Sequence, residues 1–322
     1  MVLTVGVIGA GAMGTAISQI LAENANTVYL YARNKEICNE VNNSNHNSIY
    51  YPNIKLKKNI IGINDFEKLT DTDIIFLCVP SSTIREITIK LNKIISEKCI
   101  IVTTAKGIEH DTNKRMTEII EEISNKPPVA LSGPNIASEM IKNLPSATTI
   151  ACKNENYLKY VKQALETQKF KVNANTDVIG TEFCGVIKNV IAISQGILEG
   201  LNINDNARFA LFTKSYKEVK KFIEKIGGNG DTVDDYCGFG DIITASTLSV
   251  SRNHTLGVLH GQGIVIDEKA SGVLFEGKNT VKIIKKICEE NDIEFLTNEF
   301  TYDVIINKKN PKLAYTEFWE KI

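Results

Sequence analysis

Gly9-Ala10-Gly11-Ala12-Met13-Gly14 is the stretch that decides the fold of this chain. It directly follows the β-branched run Thr4–Ile8 and precedes a stretch with helical spacing. Glycines in this G-x-G-x-x-G pattern allow a tight turn, a close backbone approach to a pyrophosphate, and close packing of helix on strand. The free N–H groups and dipole of the following helix favour phosphate. The stretch therefore predicts a dinucleotide-binding βαβ unit.

The rest of the first half alternates apolar strand patterns with amphipathic helical patterns. This alternation predicts an N-terminal α/β domain with a Rossmann-type, doubly wound and mostly parallel sheet. Residues 39–53, which are rich in Asn and Ser, predict a solvated loop. The further strand candidates are Thr27–Tyr31, Asp73–Val79, Cys99–Thr104, Val129–Ser132 and Thr148–Ala151, and the helix candidates are Thr15–Asn24, Ile84–Ile95 and Asn113–Ile123.

After residue 178 the strand patterns give way to helical spacing, over residues 180–200, 205–226, 241–250 and 276–290. This change predicts an all-α C-terminal domain. We therefore expect a dinucleotide-binding domain at 1–178 and a substrate-binding domain at 179–322.

The composition excludes several classes of function. The net charge of −1 gives no reason for non-specific attraction to nucleic acid or membranes. Seven cysteines without CxxC spacing predict reduced thiols in a cytoplasmic protein, and the four histidines show no metal-binding pairing. The sequence shows neither a signal-peptide pattern nor an apolar run long enough for a transmembrane helix.

The residues after the second strand, Ala32-Arg33-Asn34, bear on the choice of cofactor. NAD-binding folds usually carry a carboxylate here for the ribose hydroxyls, and this chain has none. Arg33 suits a 2′-phosphate. We therefore expect NADPH to be accepted at least as well as NADH; the alternative is a solvated surface arginine.

Several polar residues stand where a site is expected. Lys106 follows one apolar strand, and Gly133-Pro134-Asn135 follows another. Both segments would face the ligand crevice, although a solvated lysine and a plain turn remain alternatives. Lys188-Asn189 interrupts an apolar helical stretch, so the ammonium either reaches water or enters a polar pocket.

Two further segments lie in the helical half. Asp241 follows a glycine-rich stretch, where it could cap a helix or orient a catalytic lysine. Ser251-Arg252-Asn253 contains an arginine suited to bidentate phosphate recognition. Neither segment is informative alone.

The order of these motifs resembles that of the bacterial-type NAD(P)-dependent glycerol-3-phosphate dehydrogenases, from the first strand to about residue 290. The departures include Met13, where the family usually has an aromatic residue, and Ala245, where it commonly has threonine. Cys237-Gly238-Phe239 and Phe183-Cys184 also differ from the family pattern. The segments that carry the resemblance are GAGAMGTA (9–16), ARN (32–34), N-x-x-Y-x-P (47–52), VPS (79–81), KGI (106–108), LSGPNIA (131–137), GVIKNVIAI (185–193), NDNARFALFTK (204–214), GFGDIITAST (238–247), SRN (251–253) and FEG (275–277).

The resemblance implies a role for each matching residue. Lys188 would be the general acid and base, with Asn189 orienting the substrate and Asp241 pairing with the lysine. Lys106 would contact both substrate and nicotinamide. Besides Lys106 and Asp241, the substrate and its phosphate would contact Gly133, Asn135, Ser251, Arg252 and Asn253. Besides Lys106, the cofactor would contact Gly9, Gly11, Ala12, Met13, Gly14, Arg33, Ala137, Arg252, Leu274 and Glu276.

These roles imply the interconversion of dihydroxyacetone phosphate and sn-glycerol 3-phosphate with NAD or NADP. Hydride transfer to the substrate carbonyl requires a proton, and Arg252 would hold the phosphate end in position. The resemblance further implies a homodimer and a supply of glycerol 3-phosphate for phospholipid synthesis. A ketopantoate-type reductase and a dinucleotide sensor without turnover are the alternatives.

Overall fold

The computed structural model describes residues 3–247, 251–264 and 276–322. The chain divides into two compact units. The first comprises Met1–Glu109 and Lys114–Val178, and the second comprises His110–Asn113 and Ile179–Ile322. The expectation that residues 1–178 bind the cofactor and 179–322 the substrate stays a prediction.

The first unit is built on one eight-stranded sheet. Its strands are β1 (Thr4–Ile8), β2 (Thr27–Tyr31), β3 (Ile60–Ile63), β4 (Ile74–Leu77), β5 (Ile100–Thr103), β6 (Val129–Ser132), β7 (Ser146–Ala151) and β8 (Phe170–Asn175). They lie in the order β3-β2-β1-β4-β5-β6-β7-β8. Neighbouring strands are parallel except β6 and β7, which are antiparallel. The predicted mostly parallel, Rossmann-type sheet is confirmed.

Helices connect the strands, and apolar side chains pack on both faces of the sheet. The helices are α1 (Ala12–Leu21), α2 (Lys35–Ser44), α3 (Ile84–Leu91), α4 (Met116–Ser124), α5 (Ala137–Met140) and α6 (Glu155–Leu165). Within β4, Ile74 and Phe76 join one apolar cluster while Ile75 and Leu77 join another. A strand covered on both faces needs a continuous apolar run, which explains the sequence of β4.

Two strands were not predicted, and part of one helix was predicted as a loop. β3 contains Gly62, whose backbone packs against Cys38, and β8 alternates apolar with polar residues at one end of the sheet. The prediction of a loop over residues 39–53 was wrong for its first six residues, because α2 extends to Ser44. Val41 is buried there despite the surrounding asparagines.

The second unit is helical, as predicted. Its helices are α7 (Val178–Gly200, beginning at the last residue of the first unit), α8 (Asp205–Lys225), α9 (Asp241–Thr247), α10 (Arg252–Gly261), α11 (Glu276–Glu290), α12 (Leu296–Ile305) and α13 (Pro311–Trp319). A 3-10 segment, Gly230–Asp234, and a π-helical turn, Tyr236–Gly240, precede α9. Throughout the described ranges, no helix has both the length and the apolar character needed to span a bilayer.

Glycines bring α7 and α10 into backbone contact. A Cβ added at Gly196 or Gly200 would lie 2.1 or 2.2 Å from a carbonyl oxygen of α10. A Cβ added at Gly257 or Gly261 would lie 2.1 or 2.3 Å from a carbonyl oxygen of α7. Both pairs are spaced four residues apart, so each helix presents its glycines on one face. The crossing has no room for a larger residue.

Candidate active site

Each glycine of the turn between β1 and α1 has a different neighbour. Gly9 has a φ of +107°, a conformation that favours glycine. A Cβ on Gly14 would lie 1.8 Å from the Gly9 carbonyl oxygen, so helix and strand meet through their backbones. Among the described residues, a Cβ on Gly11 would meet only the Tyr50 ring, at 4.0 Å. Space for a ligand therefore remains beside Gly11, as a dinucleotide turn requires.

The first turn of α1 is suited to a phosphate. Gly11 is its N-cap, and within the described ranges no side chain caps this helix and no acidic residue occupies its first turn. The first N–H groups of a helix have no partner inside the helix. Ala12 is exposed, and Met13 is half-buried. Met13 packs against the same apolar cluster as Ala137, the first residue of α5.

Residues 45–53 contact the glycine turn, which their composition did not predict. Asn47, which is fully buried, donates through Nδ2 to the Ala10 carbonyl at 3.0 Å. The Tyr51 hydroxyl donates to the Ala12 carbonyl at 3.1 Å. These bonds fix two carbonyls of the turn from a second segment. The spacing N-x-x-Y-x-P, which entered through the resemblance alone, includes Asn47 but not Tyr51.

Arg33 lies two residues beyond β2, and its side chain is exposed. The Gly9 N–H donates to the Tyr31 carbonyl at 3.1 Å, so the end of β2 adjoins the glycine turn. Asn34 caps α2 by accepting from the Glu36 N–H at 2.8 Å. Arg33 is therefore an exposed cation at this edge that could meet a 2′-phosphate, and the acceptance of NADPH at least as well as NADH stays a prediction.

Lys106 lies three residues beyond β5, and its ammonium donates to the Gly133 carbonyl at 2.9 Å. Gly133 directly follows β6, the parallel neighbour of β5. The carboxyl ends of these strands lie at the edge where an open α/β sheet binds ligands. Lys106 is half-buried, so its ammonium is held in place without being sealed from solvent.

The turn after β6 is fixed against β7. Asn135 donates through Nδ2 to the Ala147 carbonyl at 3.1 Å and accepts from the Thr148 hydroxyl at 3.0 Å. A Cβ on Gly133 would lie 3.0 Å from the Thr148 Cα. Gly133 and Asn135 therefore shape the turn that holds Lys106, while their contact with substrate stays a prediction.

The helical unit contains a lysine–carboxylate pair. Lys188 of α7 donates through Nζ to Asp241 Oδ1 at 2.6 Å. The Asp241 side chain is 3% exposed and that of Lys188 is 17% exposed, so the ammonium keeps a route to solvent. Pairing avoids an isolated buried charge. Asn189 beside it is buried. The ion pair that the resemblance implies is thus present, and its catalytic role stays a prediction.

Asp241 directly follows the π-helical turn and begins α9. The Gly238 backbone packs so closely that a Cβ would lie 2.1 Å from the Val233 carbonyl oxygen. Ala245, where the family commonly has threonine, is buried. The neighbouring Thr244 hydroxyl donates to the Gly240 carbonyl at 2.7 Å. The hydroxyl proton of Thr244 is therefore engaged by the π-helical turn that precedes α9.

The remaining predicted residues lie around the start of α10. Ser251 is the N-cap and accepts from the His254 N–H at 3.3 Å. Arg252 is exposed and Asn253 is half-buried. An arginine at a helix N-terminus is well suited to a phosphate. Leu274 lies outside the described residues, and Glu276 is described only as the first residue of α11.

Together the units contain the parts of a redox enzyme. The first has a glycine-rich turn at the carboxyl edge of a parallel sheet, and the second has a largely buried lysine–aspartate ion pair and an arginine at a helix start. Within the described ranges, no group of three or more His, Cys, Asp or Glu residues could hold a metal ion. These features define a Rossmann-type dehydrogenase that uses a nicotinamide dinucleotide.

Comparison with known proteins identifies the family. The protein-family model that describes the N-terminus of NAD-dependent glycerol-3-phosphate dehydrogenase matches residues 4–158. The family model that describes its C-terminus matches residues 177–316. The chain belongs to the NAD-dependent glycerol-3-phosphate dehydrogenase family. The predicted family and the predicted class of enzyme, an oxidoreductase that uses NAD or NADP, are confirmed.

Individual relatives agree with this membership. The chain is 37% identical over 313 residues to the glycerol-3-phosphate dehydrogenase [NAD(P)+] of Clostridium botulinum (strain Eklund 17B / Type B), covering 96% of this chain and 95% of the relative. The crystal structure of glycerol-3-phosphate dehydrogenase from Coxiella burnetii superposes with a TM-score of 0.88 at 28% identity, covering 99% of each chain.

The fold is shared more widely than the family. A ketopantoate reductase from Ralstonia eutropha JMP134 matches with a TM-score of 0.61 at 13% identity, covering 98% of this chain and 100% of that one. That likeness shows the fold alone.

Proposed function

We propose that this chain reduces dihydroxyacetone phosphate to sn-glycerol 3-phosphate, and catalyses the reverse reaction, with Lys188 as general acid and base. The nicotinamide supplies the hydride, so the protein must bind both reactants and deliver a proton to the carbonyl oxygen. The observation that carries this proposal is the 2.6 Å bond between Lys188 Nζ and Asp241 Oδ1. A proton donor is most effective when its position and protonation state are fixed before reaction.

The ion pair explains how Lys188 can act from inside an apolar helix. The buried Asp241 carboxylate compensates the charge of Lys188 and holds its ammonium in place. The 17% exposure of the lysine leaves room for a substrate oxygen and a path for the proton to be replaced. Asp241 is thus assigned the role of holding Lys188 in position, with Asn189 orienting the substrate.

The start of α10 is proposed as the phosphate anchor. Arg252 offers a planar fork of N–H donors at a helix N-terminus that is capped by Ser251. Asn253, Gly133, Asn135 and Lys106 complete the proposed substrate contacts. Holding the non-reacting phosphate places the carbonyl for reaction and lowers the entropic part of the barrier.

The direct test is NADPH oxidation with dihydroxyacetone phosphate, comparing the wild-type protein with Lys188→Ala. We expect kcat to fall about 10³-fold, within the range for loss of a general acid. Arg252→Ala should mainly raise the substrate KM. Equal rates for wild type and Lys188→Ala would refute the role of Lys188. Turnover of ketopantoate instead would favour the alternative reductase, and cofactor binding without turnover would favour the sensor.

The cofactor preference is tested separately. If Arg33 binds the 2′-phosphate, Arg33→Ala should weaken NADPH binding about tenfold and leave NADH nearly unchanged, because only NADPH carries that group. Lys35→Ala is the matched control, since Lys35 is an exposed cation two residues further on. A large preference for NADH that survives Arg33→Ala would contradict the assignment.

Three broader statements belong to the same proposal. We propose that the enzyme is cytoplasmic, that it is a homodimer, and that its physiological direction supplies glycerol 3-phosphate for phospholipid synthesis. Light scattering of the purified protein tests the dimer. Depletion of the enzyme in cells, with glycerol supplied as rescue, tests the metabolic role.

A further inference from the structure

The segment that carries Lys106 is anchored on both sides by one strand–helix pair. On the strand side, the Thr104 N–H and its hydroxyl each lie 3.1 Å from the Leu77 carbonyl oxygen at the end of β4. On the other side, Arg85 of α3 makes two 2.8 Å bonds to the Glu109 carboxylate, one through Nε and one through a terminal nitrogen. β4 and α3 are consecutive, so both anchors belong to the same local structure.

A second acidic residue extends this contact into a network of four charged side chains. Glu122 of α4 accepts from Arg85 at 3.3 Å and from Lys114 at 2.8 Å. The Glu109 N–H also donates to the Lys114 carbonyl at 2.9 Å, closing the base of the loop that follows Lys106. The network contains two cations and two carboxylates, so it is neutral as a set.

Between the anchors, the Ala105 N–H donates to the Thr103 hydroxyl at 3.2 Å, and Ile108 forms an isolated antiparallel bridge with Arg115. Gly107 offers no side chain for packing, and a Cβ there would lie 2.6 Å from the Ser81 Cβ. The Lys106 ammonium itself bonds the Gly133 carbonyl. A bidentate arginine–carboxylate pair is directional as well as attractive, so it can fix the orientation of the peptide three residues away.

We propose that Arg85 is a positioning residue. Through its contact with Glu109 it holds the backbone around Lys106, and so the Lys106 side chain, in position. This inference rests on the proposed role of Lys106 in contacting substrate and nicotinamide. Arg85 is 32% exposed and Glu109 is 20% exposed, so their contact adds little to the core. Its effect should therefore appear in catalysis more than in stability.

The test is a double-mutant cycle on the enzyme reaction. Arg85→Ala should lower kcat/KM for dihydroxyacetone phosphate ten- to hundredfold, the scale expected when a reacting group is displaced by about 1 Å. In a Lys106→Ala background, the same change should alter kcat/KM less than about twofold, because its target is gone. Arg85→Lys should recover only part of the loss, since lysine cannot form the fork.

Lys90→Ala is the matched control. It removes the exposed 2.5 Å pair between Lys90 and Glu86 on the same helix without touching Glu109. An undiminished Arg85→Ala effect in the Lys106→Ala background would overturn the proposal, as would wild-type activity in Arg85→Ala itself.

Hydrogen exchange gives a readout that does not depend on turnover. Amides of residues 104–109 should exchange faster in Arg85→Ala, and those of α3 should stay unchanged. If the wild-type enzyme fails to reduce dihydroxyacetone phosphate, the proposed function fails. The exchange experiment still tests whether the Arg85–Glu109 contact holds residues 104–109. Unchanged exchange at residues 104–109 in Arg85→Ala would refute the positioning role of Arg85, whatever the substrate.

Discussion

The two units hold their proposed reactive lysines in different ways. In the sheet unit, Lys106 bonds the backbone carbonyl of Gly133, a neutral acceptor. In the helical unit, Lys188 bonds the buried carboxylate of Asp241, 53 residues further along the chain. A backbone acceptor cannot be removed by mutation and responds only to the shape of its turn. A carboxylate can be removed alone, so the second lysine depends on one distant side chain.

The largest effect should follow from Asp241→Asn. The substitution keeps the shape but removes the counter-charge of Lys188, so we expect kcat to fall about 10²-fold as the ammonium is displaced. Steady-state kinetics with saturating substrate measures this. Asp205→Asn, at the exposed start of α8, is the control and should retain full activity. A wild-type kcat in Asp241→Asn would show that Lys188 does not depend on the Asp241 carboxylate.

A smaller effect is expected at the glycine turn of the sheet unit. Gly11→Ala should weaken NAD(P)H binding about thirtyfold while Tm stays within a degree or two, because the added methyl fills space beside the turn and not protein. Gly14→Ala should instead unfold this unit, since its Cβ would overlap the Gly9 carbonyl. Fluorescence titration and thermal melts separate the two. Equal behaviour of the two variants would contradict the assignment of Gly11 to the ligand.

Gly133→Ala tests the backbone acceptor of Lys106. The added Cβ would press on β7 at 3.0 Å from the Thr148 Cα, so the turn must shift by a few tenths of an ångström and carry its carbonyl with it. We expect kcat/KM to fall about tenfold, with little change in the unfolding midpoint. The variant Lys142→Ala, in the exposed stretch before β7, is a control for an unrelated change in this region. A Gly133→Ala enzyme with normal kcat/KM would show that catalysis does not depend on the position of the Gly133 carbonyl.

The smallest effect concerns pH and the helical unit. Burial lowers the pKa of His254 in α10, opposed by the Glu199 carboxylate at 3.5 Å and reinforced by Arg208. The unfolded chain then binds more protons as pH falls through about 6.5, so folding stability is complete above that pH and declines below it. His254→Gln should make the loss of stability between about pH 7.5 and 5 smaller in urea unfolding. An identical pH dependence in the variant would refute this contribution.

The sequence predicts the fold better than the site because apolar periodicity is a local signal. β1, β2 and β6 have the predicted limits, since each is a short β-branched or apolar run next to a turn. β3 and β8 were missed because they lie at the two ends of the sheet, where one strand carries a glycine and the other alternates with polar residues. The loop predicted over residues 39–53 wrongly included residues 39–44 of α2. Asparagine is a weak helix former, so tertiary packing decides whether such a segment is helical.

The site required more than a pattern. No periodicity joins Lys188 to Asp241, and the bond of Asn47 to the Ala10 carbonyl spans 37 positions in the chain. Such contacts arise from tertiary folding, so the residues alone left Asp241 open between a helix cap and an ion-pair partner. The resemblance favoured the partner, and the structure contains that pair.

The glycine crossing of α7 and α10 has a consequence for how this protein can change over evolutionary time. Because peptide backbones touch at that crossing, the interval between Lys188 and the first turn of α10 is set by the dimensions of the main chain. Side-chain replacements elsewhere in the helices can drift without lengthening it. The crossing therefore fixes the spacing of α7 and α10 by contacts that do not depend on side-chain size.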